Sequence, residues 1–215
     1  MKTLALSIPL TEEEVRSADI GDVVFLTGLV YTCRARFHMR VIDEGIVPPI
    51  DFSKFNVMVH TGIEMRRGPE GQWIPIGHEG LSIPGTASNR FEAYGPAIIQ
   101  RLGIRAIVGK GAMGKETMKA MQRLGCIHLT TNFKRSGRGG VEMAVDVYGF
   151  DELGTVEATW VFEVADWGPF VVSMDTKGRN LFDEVDRQAR EKLLQIVYPH
   201  FGIPKDFRYT MDLPG

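Results

Sequence analysis

The sequence predicts a mixed α/β fold, and three observations carry that prediction. Short apolar runs rich in branched and aromatic residues alternate with segments of helical periodicity along the chain. Between Ile104 and Thr131 the order is strand, loop, helix, strand, which makes a parallel βαβ unit. No repeat, low-complexity tract or long linker divides the 215 residues, and the glycine-rich RSGRGG at 135–140 is too short to separate domains. One domain over residues 1–215 is therefore expected.

In chain order, Thr11 and Glu14 form a capping box, in which hydroxyl and carboxylate each satisfy an orphan backbone donor, so a short helix starts there. DVVFLTGLVYTC (22–33) reads as two β-rich runs about Thr27-Gly28, or as one strand with a bulge. RARFHMRVIDEG reads as a helix ending at Gly45. FNVMVHTGIEMRRGPEGQWIPIG alternates turn pairs (Thr61-Gly62, Gly68-Pro69, Glu70-Gly71) with short extended runs, the pattern of a meander. In SNRFEAYGPAIIQRLG, Phe91, Tyr94, Ile98 and Leu102 share a helical face, and Pro96 demands a kink or a second start. IRAIVG is a short buried strand. KETMKAMQRLG is a helix with Met118, Met121 and Leu124 on one face and Gly125 at its C-cap, and CIHLTT is strand again. VEATWVFEV and PFVVSMD read as two further strands, and FDEVDRQAREKLLQIVY as an amphipathic helix.

Composition excludes several classes of function. A formal net charge of -2 creates no field that would draw the chain to nucleic acid or anionic lipid. MKTLALSIPLTEEEV is neither a secretory leader nor a spanning segment, because Pro9 and three glutamates interrupt it, so a soluble cytoplasmic protein is expected. Cys33 and Cys126 lie far apart and are expected to be buried, reduced thiols. The histidines (His38, His60, His78, His128, His200) show no metal-ligand spacing on one element, so no metal site is expected in this chain.

Three constellations remain as candidate chemistry. GKGAMGKET (109–117) is one residue short of a phosphate-binding loop, with strand before and helix after. Glu116 stands where a magnesium-binding hydroxyl is required, and its carboxylate would repel the anion. The same glycines can instead hold the Lys110 ammonium close to a small anion. In PGTASNRFEAY, the Arg90 guanidinium matches a carboxylate in two-pronged fashion and Thr86 offers a hydroxyl four residues earlier. CRARFHMR packs Arg34, Arg36, His38 and Arg40 into seven residues, of which His38 alone has an acid–base pKa near neutrality.

Taken together these stretches resemble the β subunit of the two-subunit class I fumarases and L-tartrate dehydratases, which forms the C-terminal domain in single-chain members. GDVVFLTGLVYTCRARFH resembles the family's G-D-x-V-x-L-x-G and R-D-x-A-H, with Arg34 and His38 matching and Ala35 in place of the aspartate. PGTASNRFEAY is similar to G-P-T-T-x-x-R-M-D-x-Y, keeping Thr86, Arg90 and Tyr94, with Pro84-Gly85 reversed, Ala87 for threonine and Glu92 for aspartate. IVGKGAMG matches I-G-K-G at Lys110, and VEATWVFEVADWGPFVVSMDTKG keeps the family's Glu157, Trp160, Asp175 and Gly178. Gly62-Ile63 stands where the family has Gly-Pro.

The resemblance implies a three-layer β/β/α swivelling domain with mixed sheets. It also implies a hydro-lyase acting on a small dicarboxylate, fumarate/L-malate first, with tartrate and mesaconate as the other candidates. By the same resemblance a partner α subunit carries a [4Fe-4S] cluster whose open iron acts as Lewis acid, this chain binds no metal itself, and the assembly is α2β2. Arg90, Arg34, Thr86 and Lys110 become substrate-binding candidates. Lys110 and Thr86 are in addition catalytic candidates through charge stabilisation and hydrogen bonding, and His38 as a polarising or relay group. A stand-alone carboxylate-binding module is the alternative, and a nucleotide binder the remote one.

Overall fold

The computed structural model describes residues 1–76, 85–131 and 143–207; His78, Pro84 and the 135–140 stretch lie outside them. In chain order the elements are β1 (Thr3–Ser7), α1 (Glu12–Ser17), β2 (Val23–Cys33), α2 (Ala35–Ile42), β3 (Val57–His60), β4 (Met65–Arg67) and β5 (Trp73–Pro75). A 3₁₀ turn (Ser88–Phe91) leads into α3 (Gly95–Leu102), then β6 (Ala106–Gly109), α4 (Lys115–Leu124), β7 (Ile127–Thr131), β8 (Ala144–Tyr148), α5 (Phe150–Glu157) and β9 (Thr159–Met174). A last group comprises α6 (Leu181–Lys192), a π-helical stretch (Leu193–Val197) and α7 (Tyr198–Phe201). The chain divides into two compact units, Met1–Leu181 and Phe182–Gly215.

Among the described residues of the larger unit, hydrogen bonds join nine strands in the order β1-β2-β3-β6-β7-β9-β8-β5-β4, and a further β2–β9 pairing closes β2, β3, β6, β7 and β9 into a ring. The sheets are thus continuous through two long strands. β2, β3, β6 and β7 run parallel, and β9 is antiparallel to both β2 and β7. Because successive side chains of a strand face opposite ways, each parallel strand feeds two cores. Val57 and Val59, Ala106 and Val108, and Ile127 and Leu129 enter one core with Leu26, Trp160 and Phe162. Met58 and Ile107 enter the other, with Phe37 and Val41 of α2, Ile98 and Ile99 of α3 and Met121 of α4. Two cores separate three layers, with the helices α2, α3 and α4 on one side of the parallel strands.

Local signals hold where they are strong. The Thr11 hydroxyl accepts from Glu14 N (3.2 Å), and the Glu14 carboxylate accepts from Thr11 N (2.7 Å). Gly125 ends α4 with φ 70°. The parallel pairing of β6 and β7 completes the expected βαβ unit. Residues 23–33 form one strand whose irregularity falls on both sides of Leu26, and Gly28 sits there at φ +125°, where a Cβ would stand 2.9 Å from that of Ile8. The chain restarts as a helix at Gly95-Pro96.

Other expectations are replaced. β3 leaves the meander and lies parallel between β2 and β6, so only β4 and β5 form a hairpin. α2 stops at Ile42, three residues before Gly45. The two expected late strands are one, β9, which passes through Asp166 at φ 50°, while Val156 and Glu157 end α5 instead. β1, β8 and α5 carry too weak a local pattern to be read from sequence.

Within the C-terminal unit, Arg187 pairs with Glu184 (2.7 Å) and Glu191 (2.6 Å), and Arg190 with Asp186 (2.9 Å), as helical spacing allows. No helix among the described residues is long and apolar enough to cross a membrane.

Candidate functional site

Parallel strands deliver their carboxyl ends to one edge of the sheet, which is where ligands bind in α/β folds. β2 ends at Cys33 opposite His60, the end of β3, and β6 ends at Gly109 opposite Thr130 of β7. Arg34 and Lys110 are therefore the first residues beyond two of these ends.

The segment 85–88 ties the edge together. Thr86 N donates to the carbonyl of His60 (2.6 Å), Lys110 N donates to the carbonyl of Thr86 (2.9 Å), and Ser88 N donates to the carbonyl of Lys110 (3.1 Å). Thr86 is thereby fastened to the end of β3 and to Lys110 at once. The approach requires glycine at 109, where a Cβ would meet Ser88 Oγ at 2.1 Å. Gly111 N donates to Thr130 Oγ1 (3.2 Å), which anchors the far side of the Lys110 turn.

Arg90 leaves the 3₁₀ turn on the same side, exposed, with Nη1 3.4 Å from Thr86 Oγ1. That is the outer limit of a hydrogen bond, so both groups are available to a better acceptor. Arg34 lies against Gly62, where a Cβ would come within 2.9 Å of its Cδ, and its Nε is 3.5 Å from Glu157 Oε1. Glu157 Oε2 also accepts from Arg36 N (3.0 Å), so one carboxylate of α5 orients the entry to α2. At their partial exposure this pair contributes at most about 1 kcal/mol, and its value is positional. Thus Arg34, Thr86, Arg90 and Lys110 lie on loops and turns at one edge of the sheet.

His38 is placed differently. It is fully buried, stacked on Phe91 (4.7 Å between ring centres) and Tyr94 (5.8 Å), and burial lowers its pKa to about 4. Tyr94 donates to Asp43 Oδ2 (2.9 Å), which ties the end of α2 to the start of α3 and raises the phenol's pKa.

Glu92 decides how the 109–117 loop functions. Its carboxylate accepts from the backbone N of Gly114 (2.6 Å), Glu116 (3.1 Å) and Thr117 (3.1 Å), and from Thr117 Oγ1 (2.7 Å). The orphan donors that a phosphate loop offers to phosphate are occupied by a side chain from another element. A Cβ at Gly114 would lie 2.5 Å from Glu92 Cδ, so the glycine serves this cap.

Beneath the edge runs a buried chain of polar groups that local spacing does not reveal. His60 Nδ1 is 2.9 Å from Ser88 Oγ, Ser88 Oγ is 2.8 Å from His128 Nε2, and His128 Nδ1 is 2.5 Å from Ser173 Oγ. All four residues have zero exposure. Burial lowers the His128 pKa to about 3, so the native state stays neutral at 128 while the unfolded chain takes up a proton below about pH 6.5. The sign follows: this contribution is whole above pH 6.5 and is lost as pH falls toward 3. Urea unfolding should show stability declining by up to about 1.4 kcal/mol per pH unit for this one group over that window. His128→Gln should make the slope shallower by that amount, and an unchanged slope would mean that His128 is not held neutral.

A concavity of about 190 Å³ lined by Phe37, Val41, Val47, Pro48 and Tyr148 lies apart from this edge. Its charged members, Arg40 and Glu152, pair with each other at 2.5 Å, and its lining includes none of Arg34, His38, Thr86, Arg90 and Lys110.

Comparison with known proteins finds relatives over most of the chain. A family model described as Fumarase C-terminus matches residues 1–185. The L(+)-tartrate dehydratase subunit beta of Escherichia coli K12 is 30% identical over 193 residues, covering 89% of this chain and 92% of that one. A Methanocaldococcus jannaschii protein provisionally named as the same subunit is 32% identical, covering 87% of this chain and 95% of its own. A Geobacillus stearothermophilus protein provisionally named fumarate hydratase class I is 32% identical over 94% of this chain, which spans 38% of that protein's length.

Proposed function

The chain belongs to the Fumarase C-terminus family, and from that membership we propose that it is the β subunit of a two-subunit hydro-lyase that adds water to, or removes it from, a small dicarboxylate. The observation that carries this reading is the convergence of Arg34, Thr86, Arg90 and Lys110 at the carboxyl ends of parallel strands, joined by the Thr86–Lys110 and Thr86–His60 backbone bonds. In elimination, the carbon beside a carboxylate loses its proton, the neighbouring C–O bond breaks and a double bond forms. The charge that develops on the adjacent carboxylate needs fixed cations, since that proton is only weakly acidic. Arg90 grips one carboxylate with its planar fork, Thr86 donates a hydrogen bond to it, and Lys110 stabilises the developing charge. Arg34, oriented by Glu157, supplies the second cation. His38 acts through others in this reading: packed behind the 3₁₀ turn, it holds Phe91 and so the direction of Arg90.

The [4Fe-4S] cluster of such an enzyme does not fit this chain. It offers only two cysteines, both buried, Cys33 beside His38 and Cys126 bonded to the carbonyl of Ile127. Three thiolates are needed, so we place the cluster on the partner α subunit, in an α2β2 assembly in the cytoplasm.

Purified alone under anaerobic conditions, the chain should be without brown colour and without turnover. Mixing with the reconstituted α subunit should produce oxygen-sensitive hydration of fumarate, followed by the absorbance lost with its double bond, or dehydration of tartrate or citramalate, followed by the absorbance of the product formed. Turnover by the chain alone, with stoichiometric iron, would overturn the two-subunit reading. Dicarboxylate binding by calorimetry with no activity in any mixture would leave a carboxylate-binding module.

A further inference from the structure

One arrangement of protons makes all four contacts of the buried chain. In it Ser173 Oγ donates to the carbonyl of His128 (3.2 Å) and accepts from His128 Nδ1–H (2.5 Å). A neutral imidazole has one N–H, which leaves His128 Nε2 bare and accepting from the Ser88 hydroxyl. The Ser88 oxygen then accepts from His60 Nδ1–H, and His60 Nε2 is left as a bare lone pair. That nitrogen has no hydrogen-bond partner among the described residues. A buried orphan of this kind, on a ring whose centre is 5.2 Å from that of His38, points to an occupant between the two rings.

The third wall of this space is a thiol. Cys33 Sγ is 3.8 Å from His38 Nε2, and ligand atoms of Cys33, His38 and His60 all lie within 4.8 Å of one another. Tetrahedral zinc with Zn–S and Zn–N bonds of about 2.3 and 2.0 Å sets its sulfur and nitrogen ligands about 3.6 Å apart. A trapped water would satisfy the His60 nitrogen but gain little from the sulfur, whereas one thiolate with two imidazoles suits a borderline-soft divalent ion. The Ser88 bond to His60 Nδ1 is the outer contact that orients a metal-binding imidazole.

We propose that Cys33, His38 and His60 form a buried zinc-binding site with three protein ligands, separate from any cluster of a partner subunit. Such an ion clamps the end of β2, the end of β3 and the first turn of α2, directly beneath Arg34 and the Thr86 backbone bond. The site belongs to this chain alone and stands whether or not the hydro-lyase reading does.

The test uses the full chain expressed by itself in zinc-supplemented medium and passed through gel filtration under reducing conditions. Elemental analysis should find about one zinc per chain. The cobalt-substituted protein should show thiolate-to-cobalt absorption in the near ultraviolet, lost in Cys33→Ser and retained in Cys126→Ser. His60→Gln should lower zinc content at least tenfold. Folded wild-type protein carrying zinc only at background level would mean that water fills the space and would overturn the proposal. A cobalt–thiolate band that survives Cys33→Ser would do the same by placing the metal elsewhere.

Discussion

Lys110→Ala, assayed in the enzyme assembled with its α subunit, is expected to lose about a hundredfold to a thousandfold in kcat, while Lys115→Ala stays within a few fold. The two lysines lie five residues apart in one glycine-rich stretch, and their surroundings separate them. The backbone of Lys110 is held on both sides, by Thr86 and Ser88, and Gly111 turns behind it at φ 73° onto Thr130. Its ammonium is therefore delivered from a preorganised turn at the end of β6. Lys115 is exposed in the first turn of α4, where Glu92 already fills the helix terminus. For the same reason ATP with magnesium should give no heat of binding. A severe Lys115 defect beside a mild Lys110 one, or magnesium-dependent ATP binding, would return the stretch to nucleotide chemistry.

Arg90→Ala should lower kcat/KM of the assembled enzyme by two to three orders of magnitude, roughly the loss seen when one partner of a desolvated charge pair is removed. In the chain alone its guanidinium is exposed, with a long contact to Thr86 Oγ1 and a position 6.0 Å over the Phe91 ring, so little of the chain's own stability depends on it. The defect should appear in activity with an unchanged Tm. Arg90→Lys should recover only part of the loss, because a point charge cannot reproduce a bond made by two parallel N–H groups. Wild-type kcat/KM in Arg90→Ala would show that the residue is a surface cation and that the carboxylate binds elsewhere.

The sequence by itself determined the elements whose signals are local. The Thr11–Glu14 box, the Gly125 cap and the alternation of strand and helix between Ile104 and Thr131 each depend on residues a few positions apart, and each appears where it was expected. The ordered motifs singled out Arg34, Thr86, Arg90 and Lys110 as candidates, because the resemblance rests on residue type and spacing. Tertiary structure decided the rest. β3 moved from a meander into the parallel sheet, since four buried residues in succession suit a central strand as well as a hairpin. Glu92 became the cap of α4 from 22 to 25 residues away. His60, Ser88, His128 and Ser173 were joined across separations of 28, 40 and 45 residues. No periodicity or cap motif reaches that far, because such contacts exist only once parallel strands bring distant segments to neighbouring positions, and a buried polar group takes its partner from whatever the fold places beside it.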